Sequence, residues 1–177
     1  MGSVYSARPP VLLVEDNDGD ADLITELLNE APADSQRQVI RVVRLADAVA
    51  TLRDLHVEAV LLDLRLPDGS GVECIEALRR KAEDVPIVVL TGLEDDQIAI
   101  SCVAAGAQDY LSKQDVQART LTRAIDYAVV RAHEAEVRMR AQQLQARSSE
   151  LELENQRILE ASRLKSQFLA NMSHELR

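Results

Sequence analysis

Ala59-Val60-Leu61-Leu62-Asp63-Leu64-Arg65-Leu66-Pro67-Asp68-Gly69-Ser70-Gly71 opens on a short apolar run, meets a single acid, and then breaks into a turn rich in Pro and Gly. A run of this kind, bounded by turn formers, reads as a strand buried on both faces. Past the turn, apolar residues return at helical spacing from Val72 to Arg80.

The same order repeats on either side. Val11-Leu12-Leu13-Val14 leads into Glu15-Asp16 and a helical stretch from Ala21 to Glu30; Pro86-Ile87-Val88-Val89-Leu90 leads into Thr91-Gly92 and a helical stretch from Gln97 to Ala105. Weaker strands at Val39 to Arg44 and Gln108 to Leu111 complete five strand–helix units. Strands alternating with helices predict an α/β fold, a (βα)5 doubly wound parallel sheet covered on both faces. Gly106 is placed to close the fourth helix.

Composition sets the scale. The 177 residues contain no Trp and one Phe, Phe168, so a core must come from Val, Leu, Ile and Ala. That suits one domain with an extension. The net charge of -10 is uneven: residues 1–117 hold 22 Asp+Glu against 10 Lys+Arg, and residues 118–177 hold 8 against 10. An acidic compact part argues against a nucleic-acid face and is compatible with a divalent cation. Cys74 and Cys102 lack metal-ligand spacing and sit in apolar helical patterns, so they read as buried thiols in a reducing compartment. No signal peptide is visible and no apolar run approaches ~18 residues. The expectation is a cytoplasmic piece without a membrane segment.

Parallel sheets gather their sites at the carboxyl ends of the strands. Glu15 and Asp16 end the first strand, Asp63 the third, Thr91 the fourth and Lys113 the fifth. With the first and third strands adjacent, three carboxylates converge and repel, and a bound Mg²⁺ relieves the repulsion. Each residue has a plainer reading alone: helix cap, turn residue or solvated lysine. Together they suit phosphorylation, with Asp63 as nucleophile, a metal against two phosphoryl oxygens and Lys113 against a third.

Beyond Gly106 there is neither Gly nor Pro, and from about Asp115 the chain reads as one helix, with Lys113-Gln114-Asp115 supplying its cap. About 60 residues at ~1.5 Å each span ~90 Å. Val137, Leu144, Leu151 and Ile158 recur every seven residues, each followed four residues later by Ala141, Ser148, Asn155 or Ser162. The first set at d and the second at a predict a parallel two-stranded coiled coil with a weak seam, its register set by Asn155. A solvated helix docking on another domain is the alternative.

Val14-Glu15-Asp16-Asn17, Leu62-Asp63-Leu64-Arg65-Leu66-Pro67-Asp68-Gly69, Val89-Leu90-Thr91-Gly92 and Ala105-Gly106-Ala107-Gln108-Asp109-Tyr110-Leu111-Ser112-Lys113 together resemble the receiver domain of two-component response regulators, over roughly Val11 to Val130. The resemblance implies a flavodoxin-like fold and makes Asp63 the phosphoacceptor. It gives Asp16 as a direct Mg²⁺ ligand, Glu15 as one through water and the Arg65 carbonyl as another. Thr91 and Tyr110 become the pair whose rearrangement reports phosphorylation. Gln114 departs from the Pro that often follows this Lys in the family.

Leu164-Lys165-Ser166-Gln167-Phe168-Leu169-Ala170-Asn171-Met172-Ser173-His174-Glu175-Leu176-Arg177 resembles the H-box that opens the dimerisation and phosphotransfer domain of sensor histidine kinases. There His174 would take the γ-phosphoryl of ATP, with Glu175 as its acid–base partner. His56 and His133 carry no such context. The resulting plan is a flexible 1–10, a receiver over 11–130, a coiled-coil signalling helix over 131–163 and the start of a phosphotransfer domain over 164–177.

The resemblances imply a receiver coupled through a homodimeric helix to kinase output, fed by a phosphodonor histidine protein or a small phosphodonor and feeding a downstream response regulator. No nucleotide-binding glycine motif is present, so no ATP-dependent kinase activity is expected of these residues themselves. The alternatives are an intramolecular phosphate sink for His174 and a dimerisation adaptor without phosphorylation.

Overall fold

The computed structural model describes residues 8–92 and 96–176. Most of the expected flexible N-terminus, and Arg177 of the H-box stretch, lie outside them. Contacts divide the chain into a compact unit running to Glu134 and a second from Ala135.

The first unit is built on five parallel strands, β1 (Val11–Val14), β2 (Val39–Val42), β3 (Ala59–Asp63), β6 (Ile87–Thr91) and β7 (Asp109–Ser112), in the order β2-β1-β3-β6-β7. Two short strands, β4 (Arg65–Leu66) and β5 (Gly69–Ser70), pair antiparallel just after β3. The helices are α1 (Asp18–Asn29), α2 (Leu45–Asp54), α3 (Val72–Arg79), α4 (Asp96–Ala104) and α5 (Ala118–Glu175). The expected (βα)5 sheet is therefore present, with β1 and β3 adjacent in register from Val11↔Ala59 to Val14↔Leu62.

Alternation along the strands divides the core in two. Leu12, Val14, Val60, Leu62, Ile87 and Val89 face one side, packed with Ala48 of α2, Cys74, Ile75 and Leu78 of α3 and Cys102 of α4. Val11, Leu13, Ala59, Leu61, Val88 and Leu90 face the other, covered by Ala21, Ile24 and Leu28 of α1 and Leu121, Ala124, Ile125 and Ala128 of α5. Helices on both faces explain why the strands read as unbroken apolar runs. Both cysteines are free and buried; burial pushes the Cys74 thiol up to about 11 and raises that of Cys102.

Local chemistry sets the helix ends. Gly106, at φ 109°, closes α4: its N–H donates to Val103 O and the Ala107 N–H to Cys102 O, the paired bonds of a Schellman motif. Gly71 precedes α3 at φ 65°, ψ -149°, a region open in practice to Gly alone. Buried Arg37, at the entry to β2, donates to Glu58 before β3 and pairs with Asp126 of α5, pinning that helix to the sheet.

The Pro67–Gly71 turn opens α3 at Val72 as expected, and Gly69–Ser70 within it also pairs with Arg65–Leu66 as the β4–β5 hairpin. One expectation needs correction. Asp115 does not cap α5, which starts at Ala118; Gln117 precedes it, its N–H donating to Thr120 Oγ1 at 3.0 Å while the Thr120 hydroxyl donates back to Gln117 O at 2.9 Å. The Asp115 N–H instead closes a turn to Ser112 O.

In the second unit α5 continues to Glu175, and Val137, Leu144, Leu151 and Ile158 are all exposed. Among the described residues no helix is long and apolar enough to cross a membrane.

Candidate phosphoryl and cation site

The site begins where the strands stop. After β1 the chain turns through Glu15 and Asp16 into α1, whose cap is Asn17: its side chain accepts from the Asp20 N–H at 3.0 Å. Arg41 of β2 holds this turn from the side, donating to Glu15 O at 3.0 Å and Asp16 O at 3.1 Å and pairing with Asp18 at 2.8 Å. Asp63 is the last residue of β3. Lys113 follows β7, where its N–H donates to Thr91 O at 2.8 Å.

These termini enclose a cleft of about 490 Å³ lined by Glu15, Asp16, Asn17, Asp18, Asp20, Asp63, Arg65 and Lys113. Glu15, Asp16 and Asp63 each bring an oxygen within 4.8 Å of the others. The Lys113 ammonium lies 2.5 Å from Glu15 Oε2, 2.8 Å from Asp20 Oδ2 and 3.1 Å from Asp63 Oδ2. Asp63 Oδ1 is buried and has no hydrogen-bond partner.

An unpartnered carboxylate oxygen in a buried position is costly unless a cation or new covalent partner meets it. Hard oxygen donors on three converging acids fit Mg²⁺. Both Glu15 oxygens are already engaged, Oε1 by the Asn17 N–H at 3.0 Å and Oε2 by Lys113. That suits an outer contact better than direct ligation.

The charges are strongly coupled. Burial raises the Glu15 carboxyl above its ordinary range, against the pull of the Lys113 and Asn17 hydrogen bonds. Burial pushes Lys113 down, but its bonds to Asp20 and Glu15 and the nearby Asp63 more than reverse this, leaving it raised.

Of the residues singled out by sequence, the fold brings Glu15, Asp16, Asp63 and Lys113 into contact range and places Arg65 on the cleft wall. Thr91 is fully buried at the end of β6, opposite Ser112 of β7. Tyr110, two residues before Ser112, shares that face of the sheet and packs on the core beneath. His174 and Glu175 lie on α5 in the second unit, His174 exposed. The cleft takes its lining wholly from the first unit.

Sequence reasoning missed Asp20 and Asp68. Asp20 fell outside the expected helix because α1 starts three residues earlier than its apolar period. Asn17 ahead of an acidic first turn is the local signal that reveals the true start. Asp68, in the β4–β5 turn, accepts from the N–H groups of Leu45 at 2.8 Å and Ala46 at 2.9 Å, capping α2 from a distant part of the chain. Those bonds, Ala46 first, hold its carboxyl below the usual range.

Comparison with known proteins agrees with this geometry. The chain matches the response regulator receiver domain over residues 11–126. It is 39% identical over 69 residues to the acid tolerance regulatory protein ActR of Rhizobium meliloti, covering 39% of this chain and 36% of that protein. It is 30% identical over 116 residues to the transcriptional activator DevR/DosR of Mycobacterium tuberculosis, covering 65% and 52%. The chain thus spans about half or less of these relatives. Among solved structures, it resembles the receiver domain of a sensor histidine kinase from Pseudomonas aeruginosa PAO1, which has a magnesium ion coordinated in its active-site cleft. That match has a TM-score of 0.60 and 27% identity, covering 70% of this chain and 98% of the other. The order of the sheet, the acidic cleft at its carboxyl edge and the match over residues 11–126 establish that the chain belongs to the response regulator receiver family.

Proposed function

We propose that the chain is a phosphoacceptor module in which Asp63 accepts a phosphoryl group from a histidine protein or a small phosphodonor. The observation that carries this is the Asp63 carboxylate itself, which lines the cleft: Oδ2 is paired with Lys113, while Oδ1 is buried and without a hydrogen-bond partner.

A lone pair on an Asp63 oxygen forms the new O–P bond as the donor's bond to phosphorus breaks, its electron pair leaving on the donor. Lys113 stands beside Asp63 to pair with a phosphoryl oxygen. Glu15, Asp16 and Asp63, with the Arg65 carbonyl completing the set, would hold Mg²⁺, which supplies positive charge against the phosphoryl oxygens. Thr91 and Tyr110, on one face of neighbouring strands, serve as the switch pair. The test is the mass of the full chain after incubation with acetyl phosphate and Mg²⁺. A gain of one phosphoryl group, lost in Asp63→Asn and without Mg²⁺, is expected; no gain refutes the reading.

The tail supports a further step. Helix α5 contributes Leu121 to Ala128 to the core and remains helical through His174, with the heptad residues exposed. A second copy covering that stripe as a parallel coiled coil would carry the state of Asp63 to residues 164–177, read as the start of a histidine-kinase phosphotransfer domain with His174 as acceptor from ATP and Glu175 as its partner. In the parent protein, an autokinase rate unchanged by Asp63→Asn would remove this coupling. Chase of label from His174 to Asp63 within one chain would favour the phosphate-sink alternative. Free buried thiols fit the reducing environment of a cytoplasmic protein.

A further inference from the structure

Lys113 is shared unequally. Of its three carboxylate contacts the one to Asp63 is the longest, at 3.1 Å, against 2.5 Å to Glu15 and 2.8 Å to Asp20. Asp20 is not among the three acids of the candidate cation cluster; it lines the cleft and meets the ammonium. The Asn17 cap holds Asp20 through its own N–H, and the backbone bond from Lys113 to Thr91 O holds the other partner of the pair. Its side chain is 42% exposed, whereas those of Glu15 and Asp63 are 1% and 5% exposed.

We propose that Asp20 is a positioning residue for phosphoryl transfer to Asp63, holding the Lys113 ammonium toward α1 so that an incoming phosphoryl group must draw it away. This rests on the reading of Asp63 as the phosphoacceptor. Transfer from acetyl phosphate forms an Asp63 O–P bond and breaks the donor P–O bond, with the electron pair leaving on acetate. An acyl phosphate carries more negative charge than the carboxylate it replaces, and the donor is itself an anion. Asp20 opposes both by sharing, with Glu15, the ammonium that also pairs with Asp63, and by adding its own charge. Its exposure screens that charge and keeps the effect to a few-fold. Asp20 thus acts as a brake on the site, set by a residue outside the expected ligand set.

The experiment compares the full chain with Asp20→Asn and Asp20→Glu at saturating Mg²⁺, following the rate of Asp63 labelling against acetyl phosphate concentration together with thermal stability. Asp20→Asn is expected to raise the second-order rate about 2- to 5-fold, and Asp20→Glu, which keeps the charge, to stay within about 1.5-fold of the parent chain. A merely structural role would slow labelling and lower the melting temperature; an ammonium shared by Glu15 and Asp63 alone gives faster labelling. Labelling of the parent chain with an equal or slower rate in Asp20→Asn overturns the inference alone, as does an equal gain in Asp20→Glu. Absence of labelling in the parent chain overturns the phosphoacceptor reading and the inference with it.

Discussion

Replacing Lys113 by Met removes the cation that Glu15, Asp20 and Asp63 share, while keeping most of its aliphatic stem. Losing one partner of a buried ion pair costs about 3–5 kcal/mol, because the remaining charge is left uncompensated. Here two of the three acids are almost fully buried, but Asp20 is in contact with water. The expected loss is therefore about 2–4 kcal/mol at pH 8 without metal. The sign of its pH dependence follows from Glu15. Burial already raises that carboxyl, and the Lys113 hydrogen bond is the largest influence lowering it. A group with a raised folded pKa adds stability below its unfolded value and loses it as pH rises through the folded one. Lys113→Met raises Glu15 further, so the deficit of the variant is smallest in acid and grows as pH climbs through the raised Glu15 range. The raised Lys113 pKa of the parent chain contributes stability throughout the range from pH 5 to 8, losing it only in strong alkali. Urea unfolding followed by tyrosine fluorescence and circular dichroism at pH 5 and pH 8 measures the difference. Mg²⁺ at 100 times its Kd returns about 2.7 kcal/mol if the three acids bind it. A loss under about 1 kcal/mol at pH 8, or an equal loss at both pH values, would refute the electrostatic reasoning.

Gly106→Ala forces a side chain into φ 109° and brings its Cβ to 3.0 Å from Arg79 Nε, so a loss of about 1–3 kcal/mol is expected in the same unfolding assay; an unchanged midpoint contradicts the strained turn. Asp68→Ala removes the cap on α2 and costs about 0.5–1 kcal/mol at neutral pH. Because the folded Asp68 pKa is lowered, its contribution is present above the unfolded value of 3.8 and is lost as pH falls through the folded one; a deficit that persists in stronger acid would count against it. Leu151→Lys places a charge on the exposed heptad stripe, and light scattering is expected to show a shift from dimer to monomer; an unchanged mass removes the coiled-coil proposal.

The sheet was legible because its signals are local. Four-residue runs such as Val11–Val14 are apolar on both faces and alternate with helical stretches, which together call for a covered parallel sheet, and the acids at their ends then fall together by topology. Gly106 was legible for the same reason, since a Schellman close depends on one residue's φ. The start of α2 was not: Arg44 offers no side-chain cap, and the two exposed N–H groups are met by Asp68 more than 20 residues away. The start of α1 slipped by three residues because its first turn, Asp18-Gly19-Asp20, is polar and carries no apolar period. Arg37 gave no sign of burial, because a charged residue in a loop is ordinarily solvated.

The sequence by itself therefore determined the five strands of the parallel sheet, that their carboxyl ends carry acids, a hydroxyl and an amine, and that α5 runs on as helix. Tertiary structure decided how those groups share charge: Lys113 meets Glu15 across 98 positions and Asp20 across 93, leaving one oxygen of Asp63 without a partner. Periodicity and turn chemistry act over a few residues and are written along the chain. The division of one ammonium among three carboxylates depends on distances through space, which exist only once the strands lie side by side.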